Sequence, residues 1–448
     1  MTKKRWLWMI CLSILAFSCK KEIIEPQPSS TISAAGGKVL TGEGGPHIKI
    51  AVVSDIHYMD PSLLRNGAEN QAPFQDYLAQ DPKLVQFSSW IFQQVVSDLK
   101  TLQPDLLLVP GDLTKDGELV SHQAVAGYLD QLRLRGTKVF VIPGNHDINN
   151  AKAVQYDGAG YTQLPRTQVA DFTTIYKNFG YDQTDRDPAS LSYLAKPYND
   201  LWILSIDASE YETYGPEGDK ADGRIKDATM TWALEKLAQA KQQGVTVFGL
   251  MHHNLVEHYS GQTQLDPGYV VDNWQTRVKQ LMDAGLRIIF TGHYHANDIT
   301  GYVQDGKQLY DIETGSLVTP PSPYRIVTVK NKKLEIRTNT VQSIATTLPG
   351  DMSFTDYSAA FLSQHLDGYF QYYLTNRLGV PPDLAAFASP LLRNGAMAHF
   401  AGDEKMPPDQ RAQINTLAGM SAQLAEMATT LWTDLGVKDN TTVVPYDK

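Results

Sequence analysis

The amino-acid sequence predicts an α/β fold with a largely parallel, buried sheet, followed by a small all-α C-terminal domain. The α/β part is indicated by short, continuous apolar segments that alternate with segments of helical spacing. A second observation supports it: five clusters of Asp, Asn and His side chains stand where the apolar segments end. The helical part is predicted because the composition changes near Pro349-Gly350, after which Ala, Leu, Met and Gln recur at helical spacing.

The apolar segments predicted as strands of the buried sheet are residues 48–53, 106–109, 139–142, 201–206, 245–250 and 287–290. The segments predicted as helices between them are residues 84–102, 118–135, 228–243 and 276–284. Strands of antiparallel character are predicted at residues 299–303, 308–313, 324–329 and 333–337, with turn signals at Asp305-Gly306 and Asn331-Lys332. Residues 58–82 and 148–190 are long irregular insertions, which either cover a site or lie on the surface.

Composition limits the class of partner. The chain has 448 residues, of which 42% are hydrophobic, a content sufficient for a large core. The net charge of −10 argues against duplex nucleic acid as a partner, because a phosphate backbone attracts a surplus of Lys and Arg. Bound metal ions could still create a local anion site in such a chain. The only cysteines are Cys11 and Cys19, so neither a disulfide framework nor a thiolate metal site is predicted in the folded part.

The N-terminus predicts export. Residues 1–18 have the order of a signal peptide, with basic residues at 3–5 followed by a short apolar stretch. The string Leu15-Ala16-Phe17-Ser18-Cys19 resembles a bacterial lipoprotein signal, with Cys19 as the lipidated first residue of the mature chain. Residues 19–45 are predicted to be a flexible tether, rich in Pro, Ser, Ala and Gly. We therefore expect a membrane-anchored lipoprotein, periplasmic or at the cell surface; the alternative is a plain cleaved signal peptide.

The polar clusters carry the chemistry. They are Ser54-Asp55-Ile56-His57, Gly111-Asp112-Leu113-Thr114, Gly144-Asn145-His146-Asp147, Met251-His252-His253-Asn254 and Gly292-His293-Tyr294-His295. Ligands gather at the carboxyl ends of parallel strands, because the loops that follow open on one edge of the sheet. Asp, Asn and His together form a mixed oxygen and nitrogen donor set, which suits two borderline divalent ions better than one structural zinc.

These five clusters, in this order, resemble the calcineurin-like metallophosphoesterase superfamily over residues 46–345. The resemblance implies a four-layer α/β/β/α sandwich, with residues 350–448 as a separate helical domain. It also implies two ligand sets that share a bridging Asp112: Asp55, His57 and His295 for one metal, and Asn145, His252 and His293 for the other. His146 would face the substrate without binding metal. The Asp-x-His start and the Gly-Asp-Leu-Thr string look like those of bacterial cyclic-nucleotide-type phosphodiesterases.

The implied chemistry is hydrolysis of a small phosphate ester. Two divalent ions, Mn, Fe or Zn, would neutralise the phosphate charge and supply a bridging hydroxide for in-line attack at phosphorus. Asp112 and His146 are the predicted catalytic residues, and a protonated His146 could donate to the leaving oxygen. Either Asp116 or Asp147 could orient His146. Lys115 stands where purple acid phosphatases have a metal-binding Tyr, which argues against a ferric centre.

Three functions besides a general phosphodiesterase remain open. One is a phosphomonoesterase that scavenges phosphate. Another is a sphingomyelinase-like phosphodiesterase that acts on phospholipid head groups. The non-enzymatic alternative is a surface lipoprotein that binds metal or glycans. Among the other polar residues near the clusters, His253 is expected to pack behind His252. Lys115 and Asn254 lie close enough in sequence to touch substrate, with a solvated loop position as the alternative, and His258 is expected to be a solvated loop residue.

Overall fold

The apolar segments that end at the polar clusters form the central strands of two sheets. The computed structural model describes residues 40, 47–182 and 184–447. Its strands are β1 (Ile48–Val52), β2 (Leu64–Arg65), β3 (Leu106–Val109), β4 (Lys138–Val141), β5 (Val154–Asp157), β6 (Gly160–Gln163), β7 (Asp185–Arg186), β8 (Tyr193–Ala195), β9 (Leu201–Ile206), β10 (Thr246–Met251), β11 (Ile288–Thr291), β12 (Ile299–Gln304), β13 (Lys307–Glu313), β14 (Pro323–Lys330), β15 (Lys333–Thr340) and β16 (Thr441–Pro445).

The segments of helical spacing form helices within a few residues of their predicted bounds. The α-helices are α1 (Ala72–Gln80), α2 (Ser88–Leu102), α3 (Leu119–Arg133), α4 (Val169–Ile175), α5 (Asp227–Gln243), α6 (Gln262–Leu265), α7 (Trp274–Ala284), α8 (Phe354–Tyr372), α9 (Pro382–Ala401), α10 (Pro408–Met420) and α11 (Ala422–Thr430). Gly244 ends α5 and Gly285 ends α7, each in the left-handed conformation that glycine adopts without a steric penalty.

Within the described residues, the first sheet has the strand order β16-β15-β14-β1-β3-β4. The strands β1, β3 and β4 run parallel, so their carboxyl ends meet at one edge. β14 pairs antiparallel with β1 and forms a hairpin with β15, through a turn in which Asn331 and Lys332 both have positive φ. This is the turn predicted from the sequence, and its geometry matches the twist of the hairpin strands.

The second sheet, again within the described residues, has the order β12-β13-β11-β10-β9-β8-β7. β9, β10, β11 and β13 are parallel neighbours, and β12 adds to β13 as an antiparallel hairpin. The short strands predicted after residue 298 are therefore divided between two sheets. The sequence pattern did not indicate this division, because a hairpin looks the same whichever sheet it joins.

The two sheets pack face to face. Leu201 and Ile203 of β9 belong to a core that also contains apolar residues of β1, β3, β4, α2 and α3. Trp202 and Leu204, which point the other way, belong to a second core with residues of α5 and α7. This alternation places helices on the outer face of each sheet. The predicted α/β fold of four layers, with a helical region after it, is confirmed.

The C-terminal region differs from the predicted all-helical domain at its end. Helices α8 to α11 pack on one another around a core of their own, but Thr441–Pro445 forms β16 and pairs with β15 at the edge of the first sheet. The described residues all fall in one compact unit. Thus helices α8 to α11 lie between β15 and β16 in the chain, and β16 then rejoins the first sheet.

The two irregular insertions contact each other. Short strands from both insertions form a small sheet of order β2-β5-β6, and Phe74 of α1 packs 5.1 Å from the ring of Tyr156. The predicted signal peptide and lipidated Cys19 lie outside the described residues, as does the predicted tether except for Leu40. Among the described helices, none combines the length and apolarity that crossing a bilayer requires.

Candidate metal centre

The polar clusters converge because each one follows a parallel strand. Asp55 and His57 follow β1, Asp112 follows β3, and the remaining clusters follow β4, β10 and β11. The backbone is strained at this edge: Asp55, His57, Asp112, His293 and His295 all have φ between 40° and 80°. Few residues other than glycine adopt such angles, and when they do, they cluster at functional sites.

The first donor group consists of Asp55, His57, Asp112 and His295, whose candidate ligand atoms lie within 4.8 Å of one another. His57 Nε2 lies 3.4 Å from Asp112 Oδ2, and His295 Nε2 lies 3.4 Å from Asp55 Oδ1. The two Nε2 atoms are 3.1 Å apart. On its far side, His295 Nδ1 lies 3.0 Å from the hydroxyl of Thr319, which fixes the ring so that Nε2 faces the group.

The second group shares Asp112 with the first and adds His252 and His293. His252 Nε2 lies 3.5 Å from Asp112 Oδ2 and 2.9 Å from Asn145 Oδ1, so Asn145 joins this group through its amide oxygen. The other ring nitrogen of His252 lies 2.8 Å from the Pro110 carbonyl oxygen. The structure thus brings the seven predicted ligands together in two groups that meet at one carboxylate.

These residues fit divalent ions by their chemistry and charge. Burial raises the pKa of Asp112, but the imidazoles of His252, His146 and His57 outweigh it and hold that pKa well below the usual range. Burial holds the pKa of His57 and of His293 well below the usual value, so both rings stay neutral, the form that binds metal. An ionised shared carboxylate, imidazole nitrogens and an amide oxygen make a set suited to Zn²⁺, Mn²⁺ or Fe²⁺.

Glycines let the ligand loops approach one another. A Cβ added to Gly144 would overlap the carboxylate of Asp112, and a Cβ added to Gly292 would overlap Ser54 and the carboxylate of Asp55. The glycine in each Gly-Asn-His and Gly-x-His string is therefore required by the close approach of a ligand, since any side chain would displace that ligand.

Gly144→Ala is expected to lower the metal content of the purified protein, because the new methyl group displaces Asp112 from both donor groups. Metal analysis measures the effect. Gly127→Ala is the matched control, since a Cβ at that helix position meets nothing within 4 Å. Equal metal content in the two variants would contradict the assignment of Asp112.

His146 stands beside the two groups without belonging to either. Its Nδ1 lies 2.8 Å from the Lys115 carbonyl oxygen and 3.1 Å from Asp116 Oδ1, and its Nε2 lies 3.5 Å from Asp219 Oδ2. Burial lowers the pKa of His146, but the carboxylates of Asp219, Asp112 and Asp116 outweigh burial and raise the pKa to about 9. The ring is therefore held in its protonated form, ready to donate a proton.

Asp116, and not Asp147, is the residue that orients His146. Asp147 accepts hydrogen bonds from the backbone N–H groups of Leu113, Thr114 and Gly144, so its carboxylate ties two ligand loops together. Of the two alternatives that the sequence left open, the geometry assigns orientation to Asp116 and loop bracing to Asp147.

Asp116→Asn is expected to lower kcat by about 10- to 100-fold, because the ring of His146 loses a partner that fixes its orientation and charge. Metal content should not change, since Asp116 contacts neither donor group. The pH dependence of kcat should also shift, which a purely structural role would not cause. An unchanged kcat and an unchanged pH profile in this variant would show that Asp116 does not orient His146.

The structure adds two site residues that no pattern in the sequence indicated. Lys83 and Asp219 line the same groove as Asp112, His146 and His293, and each follows an irregular loop. Lys83 is nearly buried and lies 3.3 Å from Asp81. After burial, its positive charge is the next largest cause of the low pKa of His57, and it partly offsets the carboxylates that raise the pKa of His146.

The burial of four other polar side chains can be compared with what the sequence predicted for them. His258 is fully buried and forms a short hydrogen bond with Asp298, so the expectation of a solvated loop residue is wrong. Lys115 is fully buried and ion-paired with Asp116, with Glu118 at 3.3 Å, and does not reach the groove. Asn254 is buried too and donates to the Gly292 carbonyl oxygen. His253 packs behind the centre, with its ring centroid 4.3 Å from that of His293.

Two sheets with helices outside, and metal donors at the carboxyl ends of the parallel strands, define a metal-binding α/β sandwich. The family profile described as calcineurin-like phosphoesterase matches residues 48–297, more than half of the chain. The chain belongs to the calcineurin-like phosphoesterase family.

Two named relatives and one solved structure are similar to parts of the chain. A probable cyclic nucleotide phosphodiesterase from Synechococcus sp. is 24% identical over 210 residues, 46% of this chain and 64% of the relative. A probable cyclic nucleotide phosphodiesterase from Vesicomyosocius okutanii is 29% identical over 72 residues, 16% of this chain and 30% of the relative. Both alignments thus span less than two thirds of the relatives' lengths. The crystal structure of a dimetal phosphatase from Danio rerio covers 65% of this chain and 96% of its own, at 12% identity and a TM-score of 0.43.

Proposed function

We propose that this protein is a metal-dependent phosphoric ester hydrolase, and that its substrates are phosphodiesters. The observation that carries the proposal is the carboxylate of Asp112, which two donor groups share at the floor of a groove, with His146 at its side. Family membership supports the reaction class. Two divalent ions in such groups would neutralise a phosphate and supply an activated water for in-line attack.

The protein's own residues would position the ester and handle the proton. The Nδ1 atom of His146 faces the Lys115 carbonyl and the Asp116 carboxylate, so the Nε2 edge lies on the side of Asp219, which also lines the groove. From there His146 can donate its proton to the leaving oxygen. Lys83 adds a buried positive charge beside the centre, which favours an anionic substrate.

The dimensions of the groove favour a diester over a monoester. Its volume is about 1490 Å³, above the range of roughly 300–1,000 Å³ that is typical of small-ligand pockets. One wall comes from the helical region and carries aromatic side chains, among them Phe361, Tyr369 and Tyr373. Such a wall gives an organic group on phosphorus an apolar surface to contact. The names of the two similar relatives point to the same reaction type.

Phospholipid head-group hydrolysis is the second candidate. The aromatic and aliphatic wall of the groove favours it, because an acyl or sphingoid group would find apolar contacts there.

The lipid anchor predicted at Cys19 would also hold the protein at a membrane surface. This part of the proposal has its own test: Cys19→Ser should release the protein from the membrane fraction and abolish incorporation of a labelled fatty acid.

Turnover of bis-p-nitrophenyl phosphate against p-nitrophenyl phosphate tests the proposal on protein purified with Mn²⁺, Fe²⁺ or Zn²⁺. We expect the diester to give the higher kcat/KM. A panel of cyclic nucleotides, glycerophosphodiesters and sphingomyelin then identifies the substrate class. Preference for the monoester would favour the phosphate-scavenging alternative. If every ester is left intact by metal-loaded protein, the non-enzymatic alternative, a metal- or glycan-binding surface protein, becomes the better interpretation.

Tyr369→Ala is expected to raise KM for the best bulky diester severalfold while leaving turnover of bis-p-nitrophenyl phosphate nearly unchanged. The reason is that Tyr369 lines the groove with 52% of its surface exposed and contacts neither donor group. Tyr161→Ala is the control, since Tyr161 is 65% exposed on β6 and does not line the groove. Equal effects of the two substitutions would show that the helical wall does not contact substrate.

A further inference from the structure

A separate group of side chains that could bind a metal ion lies where the helical region meets the sandwich. Asp298 follows the loop of His293 and His295 and directly precedes β12, whereas His399 and Glu404 lie at and just beyond the end of α9. One donor atom from each of the three lies within 4.8 Å of the others. This group does not overlap either group at the groove, and the calcineurin-like chemistry described above does not use it.

The three side chains are buried. Asp298 and His399 are 0% and 1% exposed, and the carboxylate of Glu404 is shielded from solvent. Burial of several ionisable groups is costly unless they are paired or bind a cation. A histidine nitrogen and carboxylate oxygens, taken from two parts of the chain, are the donors that Zn²⁺ and Mn²⁺ accept.

Donor atoms in the group are left without hydrogen-bond partners. Asp298 Oδ2, His399 Nε2 and Glu404 Oε2 are each buried and have no such partner among the described residues. The other oxygen of Asp298 bonds to His258, and the other oxygen of Glu404 lies 2.6 Å from His399 Nδ1. Orphaned buried atoms are rare in folded proteins, and an ion that coordinates them removes the penalty.

Further carboxylates lie beside the group. Asp298 also forms a further group of possible metal ligands with Asp434 and Asp439. The guanidinium of Arg325 is buried nearby, but it donates to the backbone carbonyls of Glu313, Asp298 and Asp439 rather than to these carboxylates. A bound cation would supply the positive charge that Arg325 does not direct at these carboxylates.

We propose that Asp298, His399 and Glu404 hold a third divalent cation, of the Zn²⁺ or Mn²⁺ class, which fastens the helical region to the sandwich. The location suits a fastening role. Asp439 accepts a hydrogen bond from the Ile299 N–H, and Gly436 bridges to Thr300, so the chain after α11 also meets β12 here. The same helical region supplies the aromatic wall of the groove.

Two measurements on the full-length protein, purified with Zn²⁺ or Mn²⁺ in excess, test the proposal. Anomalous scattering from crystals should give a peak between Asp298, His399 and Glu404. Metal analysis should find one ion per chain fewer in His399→Ala than in the native protein. His365→Ala is the matched control, because His365 also lies in the helical region but its ring nitrogens face the carbonyls of Phe361 and Leu78. It should bind the native number of ions.

Asp112→Asn separates this site from the groove. That variant should lose the ions at the groove but retain the third ion and its anomalous peak, whether or not the protein hydrolyses phosphodiesters. In the same background, a chelator should lower the Tm, and the additional substitution Asp298→Asn should abolish that decrease. The proposal is overturned if metal-saturated crystals of the native protein show no peak there, or if His399→Ala binds as many ions as His365→Ala.

Discussion

Asp112→Asn should remove the metal ions from the groove and lower the rate of hydrolysis by orders of magnitude. Asp112 is the one carboxylate common to the two donor groups, with His57 Nε2 at 3.4 Å on one side and His252 Nε2 at 3.5 Å on the other. Asparagine keeps the size of the side chain and the oxygen that accepts from the His146 N–H, but removes the negative charge. If the lost ions supplied about 4 kcal/mol of transition-state stabilisation, kcat/KM would fall by about 10³-fold.

Metal analysis and kcat/KM on the same preparation measure this prediction. Asp130→Asn is the control, because it removes one partly exposed carboxylate of α3 that does not line the groove, and should change neither quantity. The thermal unfolding of both variants must be followed as well, so that a loss of folding is not mistaken for a loss of ligand. A native rate in Asp112→Asn would remove the shared carboxylate from the mechanism.

The sequence predicted the metal ligands because each lies next to a local signal. Asp55 closely follows a mostly apolar strand, and His252 directly follows another, so strand and donor can be recognised in the same few residues. Parallel strands then bring such donors to one edge whatever lies between them. This is why residues as far apart as Asp55 and His295 could be predicted to meet without knowledge of the connecting segments.

Other contacts lacked such a signal. Lys83 and Asp219 reach the groove from irregular loops, in which neither hydrophobic periodicity nor strand ends indicate the direction of a side chain. β16 pairs with β15, which lies about a hundred residues earlier in the chain. The β propensity of five residues predicts a strand but does not indicate which strand it pairs with. His258 is polar in sequence, and its burial is explained by the acidic partners Asp298 and Asp311, which only the fold brings to it.

His146→Ala should separate catalysis from metal binding. The imidazole faces Asp116 on one side and Asp219 on the other, and contributes no atom to either donor group. We therefore expect the variant to retain native metal content while kcat falls by about 10²- to 10⁴-fold, the usual contribution of a general acid. Loss of metal in this variant would show that His146 is a ligand, and that its assigned role is wrong.

The dependence on leaving group gives the sharper test of the same residue. If His146 protonates the departing oxygen, its loss matters least for p-nitrophenolate, which leaves without a proton, and most for an alkoxide, which needs one. The ratio of native to variant kcat should therefore rise steadily with the pKa of the leaving alcohol across a series of diesters. Asp116→Asn should show the same trend in weaker form, because it leaves the imidazole present but less firmly oriented. A ratio that is constant across the series would mean that His146 stabilises charge on the phosphoryl oxygens without transferring a proton.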